Sequence, residues 1–343
     1  MKRFLNTLFV GKQGSYLAKE GECVLVKAEG KVALRTPVHL LGGIICFGDV
    51  KVSPWLMAHC AEKQTAISFL SENGRFLAKV QGPVTGNVLL RKEQYRRSDD
   101  LERSAGIARA FVAAKIANCR STLLRSLRDQ QDQNKKETLN QAARELAKLL
   151  AELGEKDDLD TIRGLEGTAA KTYFRAFEAR MTSGSHGFCF TKRSRRPPTD
   201  EVNALLSFIY TLLVHDVGAA CECTGLDSQV GFLHRDRPGR PSLSLDLMEE
   251  LRPVIADRLV LTLINRRQIS KKGFHHSETG AFTMDDATRK TVLKAYQERK
   301  KVEVMHPYLK EKLNLGQLPF IQALLLARHL RGDIDGYPAY FHR

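Results

Sequence analysis

The sequence predicts an α+β protein: a small N-terminal β domain over residues 1–82, a linker at 83–93, and a larger all-α domain over 94–343. The texture of the hydrophobic pattern predicts it. Up to about residue 80 the apolar residues form short runs separated by glycine or charged turns, as strands do. From about residue 93 they recur every three or four positions through long segments, as helices do. A chain of 343 residues is also long enough to fill a separate core for each part.

In the first part, apolar runs at 4–9, 14–19, 22–27, 31–35 and 43–47 predict strands, with turns at Glu20-Gly21 and Glu29-Gly30. Ser53 followed by Pro54 places an N-cap before a proline at the first helical position, which opens a short helix to about Glu62. Runs at 65–71 and 75–80 flank Asn73-Gly74, a pair that accepts the positive φ angles of a tight turn, and so predict a hairpin. In the second part, helices are expected at 101–128, 138–153, 160–181, 201–218, 246–265, 285–302 and 318–331. The polar stretch 129–137 reads as an exposed loop, and 183–199 and 270–283 read as further breaks.

The charge balance narrows the partners. Lys plus Arg number 54 against 39 Asp plus Glu, a net +15. A basic excess spread over a whole folded chain points to a polyanion, nucleic acid first. No membrane partner is expected: there is no basic juxtamembrane helix or lipidation signal, and no run approaches the length of a bilayer span. The N-terminal apolar stretch is broken by Gly11 and Lys12, so it reads as a strand and not as a signal peptide. The seven cysteines are an odd number among mostly apolar neighbours, and Cys221-Glu222-Cys223 lacks the spacer of a zinc knuckle. They read as reduced thiols of a cytoplasmic protein.

Three segments carry side chains suited to chemistry. Glu166 lies among Gly164, Gly167, Ala169 and Ala170, small residues that let a ligand or a backbone come close. His234 ends the apolar run Val230-Gly231-Phe232-Leu233 and precedes a basic loop. Asp246 and Glu249 lie three apart and share a helix face, whereas Glu250 points elsewhere. Each has an ordinary explanation alone: a solvated first-turn carboxylate, a hydrogen-bonded structural histidine, acids placed at a helix start. A divalent metal explains them together. Carboxylates suit Mg2+ or Mn2+, and one imidazole shifts the preference toward Mn2+. Such an ion could activate water or a 3′-hydroxyl for attack on a phosphodiester. Basic clusters flank these segments and are read as phosphate contacts: Arg193, Arg195 and Arg196; Arg235, Arg237 and Arg240; Arg266, Lys271 and Lys272. His275-His276 makes a weak metal candidate, and no Ser or Cys sits in a glycine-flanked nucleophile elbow.

Four stretches occur in one order: Gly-Leu-Glu-Gly-Thr-Ala-Ala-Lys-Thr-Tyr-Phe at 164–174, the Arg-Pro-Pro-Thr-Asp-Glu-Val-Asn segment at 196–203, Gly-Phe-Leu-His at 231–234, and Ser-Leu-Ser-Leu-Asp-Leu-Met-Glu-Glu-Leu-Arg-Pro at 242–253. Together they resemble the CRISPR-associated spacer-acquisition integrase and endonuclease, the first member of the Cas series. The opening Leu-Asn-Thr-Leu-Phe-Val resembles subtype I-C members, and the likeness covers nearly the whole chain. The resemblance implies catalytic metal ligands at Glu166, His234 and an acid of the third segment. Where some members carry aspartate, the matching position here is Glu249, with Asp246 one turn earlier. It also implies Mn2+ or Mg2+ as cofactor, double-stranded and branched DNA as substrates, and a homodimer paired through the β domains. A small companion protein, the second member of the Cas series, would complete a heterohexamer that inserts short foreign DNA into a repeat array by 3′-hydroxyl attack. Residues 200–203 read as structural, with Asp200 capping a helix and Asn203 anchoring backbone. The competing readings are a non-catalytic DNA-binding scaffold and, further off, a small-molecule metal hydrolase.

Overall fold

The computed structural model describes residues 6–63, 65–72, 76–80, 87–154, 157–182, 187–277 and 280–342. The chain divides into two compact units, Met1–Gly86 and Asn87–Arg343. Strands fill the first and helices dominate the second, the α+β order that the sequence predicts.

The first unit runs β1 (Asn6–Val10), β2 (Ser15–Glu20), β3 (Cys23–Ala28), β4 (Lys31–Pro37), β5 (Leu41–Phe47), β6 (Val50–Val52), α1 (Pro54–Glu62), β7 (Ala66–Leu70) and β8 (Phe76–Val80). Among the described residues these form two four-stranded sheets, ordered β1-β5-β7-β8 and β4-β3-β2-β6. Strands β2 and β3 pair antiparallel through Gly21, whose φ of 57° a residue with a Cβ adopts at a cost. Ser53 caps α1, its Oγ accepting from Leu56 N at 3.3 Å, with Pro54 at the first turn as expected. Strands β7 and β8 make the expected antiparallel hairpin, although its Asn73-Gly74 turn lies outside the described residues. Strand β6 was not foreseen, because three residues are too short to display a period of two. Leu17, Val24, Ile44, Leu56, Cys60 and Ile67 build the core between sheets and helix.

The second unit contains α2 (Val88–Asp99), α3 (Leu101–Asp129), α4 (Gln133–Leu153), α5 (Leu159–Arg175), α6 (Glu201–Cys223), α7 (Ser242–Glu249), α8 (Arg258–Asn265), α9 (Asp286–Lys300) and α10 (Leu318–Arg331). Two short antiparallel ribbons interrupt it: β9 (Phe274–His276) with β10 (Phe282–Met284), and β11 (Glu303–Met305) with β12 (Lys312–Asn314). The domain is therefore helical but not all-α, and the expected 270–283 loop carries the first ribbon.

Several boundaries differ from expectation for identifiable reasons. Helix α2 occupies 88–93, the second half of the expected linker. Its sequence has no apolar stripe; it is tied down by the buried Gln94, whose amide donates to Asp227 O and Val230 O, each at 2.8 Å. Helix α4 starts at Gln133, where Asp132 accepts from Lys135 N, and so most of the expected 129–137 loop is helical. The expected 160–181 helix stops at Arg175 and ends in a 3-10 turn at Glu178–Arg180. The expected 246–265 helix is not continuous. A π-helical turn at Arg252–Asp257 separates α7 from α8, where Pro253 lacks the N–H that an α-helix needs. Helix α6 runs on to Cys223 and, contrary to the sequence reading, is long and apolar enough to cross a bilayer by length and composition. More than half of its apolar window is buried inside the unit.

Candidate metal and nucleic-acid site

The site gathers side chains from α3, α5, α7 and the loop between α6 and α7. On α5, Leu165, Ala169 and Tyr173 face the core and leave Glu166 partly exposed, at 23%. Gly164 and Gly167 have open space where a Cβ would stand, so the flank of the helix beside Glu166 is uncluttered.

The loop carrying His234 is held from below by Asp246 on α7. Asp246 is fully buried, and its Oδ2 accepts the backbone N–H of Phe232 at 2.6 Å and of Leu233 at 2.9 Å. Its Oδ1 accepts His234 N at 3.0 Å and lies 2.6 Å from His234 Nδ1. A carboxylate only accepts, so Nδ1 carries a proton, and in the neutral ring the lone pair is on Nε2, on the side of Glu249. Gly231 lets the loop pass this close, since a Cβ there would stand 2.8 Å from Asp246 Oδ2 and 2.9 Å from the Ser242 backbone.

One turn along α7, Glu249 is buried among cations. Arg252 Nη1 lies 2.6 Å from its Oε1 and Lys115 Nζ lies 2.6 Å from its Oε2. Lys115, on α3 and buried, also binds the Glu166 carboxylate. His234 Nε2 is 3.9 Å from Glu249 Oε1. Burial alone would raise the Glu249 carboxyl, but Arg252 and Lys115 hold it well below the usual range. The acids act in return: burial would lower the Lys115 ammonium, and Glu249 and Glu166 lift it above its ordinary value. Glu249 is therefore ionised despite complete burial. Its Oε2 accepts from the Lys115 ammonium at 2.6 Å and, like any carboxylate oxygen, keeps a second lone pair for a further partner.

The structure thus brings Glu166, His234 and Glu249 to one place and gives Asp246 a different task, because its oxygens are engaged by the loop and the imidazole. Among the described residues, no three His, Cys, Asp or Glu side chains close around a single point as they stand. Lys115 fills the space between Glu166 and Glu249. Neither Lys115 nor Arg252 was foreseen in the sequence. Lys115 had a signal, a lone lysine on the buried face of α3 beside Phe111, Ile116 and Cys119, and Arg252 lies three residues beyond Glu249 on the same face. Glu250, read as pointing elsewhere, turns away from this site into the core, where it accepts from Gln322 and Tyr337.

A cavity of about 510 Å³ opens beside His234, walled by Phe232, Arg163, Asp160 and Arg235. The basic residues around it differ in availability. Arg195, Arg196, Arg237, Arg266 and Lys272 are exposed. Arg235 binds Asp160 at 2.9 Å and Lys271 lies 3.4 Å from Glu201, both near the surface. Arg240 is half-buried, and burial and the neighbouring Arg237 push its guanidinium below the ordinary value. Arg193 departs from the surface reading. Its guanidinium donates to Asn203 Oδ1 at 2.8 Å and Ser207 Oγ at 3.1 Å, and lies over the Tyr210 ring. Asp200 caps α6 through Asn203 N at 2.7 Å, and Asn203 anchors Lys192 O and Ser194 N at 2.9 Å each, the structural task expected of both. His275 and His276 lie exposed on β9, with His276 edge-on to Phe282.

Comparison with known proteins follows the same lines. Residues 8–298 match the family described as CRISPR associated protein Cas1. The chain is 54% identical over 343 residues to CRISPR-associated endonuclease Cas1 1 of Chlorobaculum tepidum, covering 100% of both chains. Among solved structures, a casposase bound to integration product superposes with a TM-score of 0.81 at 22% identity, over 98% of this chain and 94% of that one. A Cas6-RT-Cas1–Cas2 complex superposes with a TM-score of 0.80 at 22% identity, over 99% of this chain and 36% of that one. At such identities the two structures show the fold, whereas the full-length relative and the matched span show descent. This chain belongs to the Cas1 family of CRISPR-associated proteins.

Proposed function

We propose that this protein is a metal-dependent DNA endonuclease and integrase of CRISPR adaptation, with Glu166, His234 and Glu249 holding a divalent ion, Mn2+ or Mg2+. One observation carries the reading: an imidazole whose Nε2 is aimed by a buried carboxylate lies 3.9 Å from the carboxylate of a buried, ionised glutamate. That donor set suits a borderline-hard cation. When bound, the ion would lower the pKa of an attacking hydroxyl and balance charge on the phosphoryl oxygens. The protein's own residues prepare the rest. Asp246 fixes the tautomer and direction of His234, Arg252 keeps Glu249 ionised, and Glu166 stands at the open edge where a strand would approach. Arg195, Arg196, Arg237, Arg266 and Lys272 would hold phosphates of double-stranded or branched DNA.

Assembly follows from the same family reading. Exposed Tyr16 on β2 and Val32 and Leu34 on β4 support pairing of two β units as a homodimer. The named Cas1–Cas2 and integration-product neighbours support a small companion protein in a heterohexamer and insertion by 3′-hydroxyl attack. A cytoplasmic setting suits the cysteines, four of which are buried. A second reading, a non-catalytic DNA-binding scaffold, is favoured by Lys115, which neutralises Glu166 and Glu249 without an ion.

Strand transfer into a supercoiled array plasmid, with and without the companion protein and across a Mn2+ and Mg2+ series, decides between them. Glu166→Ala and His234→Ala are expected to abolish both transfer and cleavage. Full metal-dependent activity in either variant would overturn the site assignment, and metal-independent binding without a covalent product would establish the scaffold.

A further inference from the structure

A second basic site lies elsewhere in the helical unit. A cavity of about 800 Å³ is walled by Arg125 of α3, Arg258 of α8, Arg299 of α9 and His342 of the C-terminal segment, and none of Glu166, His234 or Glu249 lines it. Among the described residues, no carboxylate forms an ion pair with any of these arginines, although Glu303 stands on the same wall. Arg299 spends Nη2 on Val254 O at 2.6 Å and leaves its buried Nε without a partner. Arg258 Nη1 lies 3.2 Å from His342 Nε2, and since arginine only donates, that imidazole is neutral and supplies no charge. Burial and the guanidiniums of Arg258, Arg299 and Arg125 hold His342 down at about 4, and burial with the like charges of Arg258 and Arg125 pushes Arg299 down to about 10. Three arginines and Lys310 thus line a cavity whose lining carries, among the described residues, one carboxylate, Glu303, which pairs with none of the arginines, an arrangement that an anion would relieve. The lining also includes the apolar side chains of Val302, Met305 and Pro307.

We infer that this cavity is a nucleotide site, in which Arg125, Arg258 and Arg299 hold a phosphate monoester and the apolar side chains of Val302, Met305 and Pro307 take the base. Planar guanidiniums match phosphate oxygens two at a time. The ligand is a free nucleoside monophosphate or the 5′-phosphorylated end of a strand, which share this chemistry.

Isothermal titration of the full-length protein in EDTA, with dAMP, adenosine, inorganic phosphate and a tetranucleotide with or without a 5′-phosphate, tests it. Arg125→Gln and Arg258→Gln are each expected to weaken dAMP binding at least about tenfold, the size of one charged hydrogen bond, with melting temperatures unchanged. Tighter binding of dAMP identifies the free nucleotide as ligand. Tighter binding of the 5′-phosphorylated tetranucleotide, lost in Arg125→Gln, identifies the strand end. Equal binding of adenosine and dAMP, binding of inorganic phosphate as tight as that of dAMP, or indifference to both substitutions would overturn the inference. Neither residue belongs to the metal site, so its failure is separable from failure of the strand-transfer reading.

Discussion

Asp246→Asn separates a residue that aims a ligand from a residue that is one. In the native protein the Asp246 carboxylate accepts the N–H groups of Phe232, Leu233 and His234 and the His234 Nδ1 proton, with distances from 2.6 to 3.0 Å. Asparagine offers one oxygen in place of two. If that oxygen keeps Phe232 and Leu233, the amide NH2 faces His234 N and Nδ1. The part-buried His234 N–H is then without an acceptor, a loss of about 1–3 kcal/mol, and the two retained bonds lose their charge assistance at about 1 kcal/mol each. The total destabilisation expected is roughly 3–5 kcal/mol. Facing a donor, Nδ1 becomes the acceptor, the proton moves to Nε2, and the lone pair that would bind metal is gone. Loss of such a supporting carboxylate lowers metal affinity about 10–100-fold. Urea unfolding and Mn2+ titration of the same preparation measure both. Unchanged stability together with unchanged affinity would refute the anchoring role. Affinity abolished as completely as in Glu249→Ala, with stability untouched, would make Asp246 a direct ligand.

Other expectations follow from the same geometry. Glu250 is buried, and desolvation raises its carboxyl from 4.5 to about 7 against the donors Tyr337, Tyr340 and Gln322. Its protonated form is favoured in the fold, so its contribution is complete below pH 4.5 and is lost as pH rises through 7. That is roughly 3 kcal/mol over a gap of 2.5 units. Glu250→Gln should remove this fall between pH 5 and 8 in denaturant melts, and an unaltered pH slope would contradict it. Lys115→Met leaves Glu166 and Glu249 without their shared cation, so the metal-free protein should lose about 3–5 kcal/mol. Added Mn2+ should then raise its melting temperature more than that of the native protein, and an equal rise would refute competition between ammonium and ion. Arg196→Ala should lower the slope of log affinity against log salt by about 1 for duplex DNA. Arg193→Ala should instead lower stability, because its guanidinium is bonded to Asn203 and Ser207; the reverse assignment of the two effects would count against the surface reading.

What the sequence disclosed depended on where the stabilising interactions lie. Helix α10 occupies Leu318–Arg331, the bounds its apolar period indicated, since its stripe faces a core and Gly332 ends it at a φ of 82°. Helix α2 escaped because a tertiary bond from Gln94, and no apolar stripe, holds it. The break after α7 was legible in Pro253, but the strong period on both sides carried the helical reading across it. Glu166, His234 and Glu249 stood out by residue type and surroundings. Periodicity could not divide the work of Asp246 and Glu249, which share a face of α7. The division comes from the 231–234 loop, which lies over Asp246 and leaves Glu249 to Lys115 and Arg252. Lys115 belongs to a helix far away in sequence, and only packing of α3 against α5 and α7 reveals its partners.

His234 Nε2, with Glu166 and Glu249, is proposed to bind the divalent ion. Pulsed electron paramagnetic resonance of protein-bound Mn2+ tests it most directly, because a directly coordinated imidazole nitrogen modulates the spin echo. Nitrogen coupling from one histidine is expected, and it should disappear in His234→Ala while carboxylate-held Mn2+ remains weakly bound. Bound Mn2+ without nitrogen coupling, or coupling that survives His234→Ala, would contradict it.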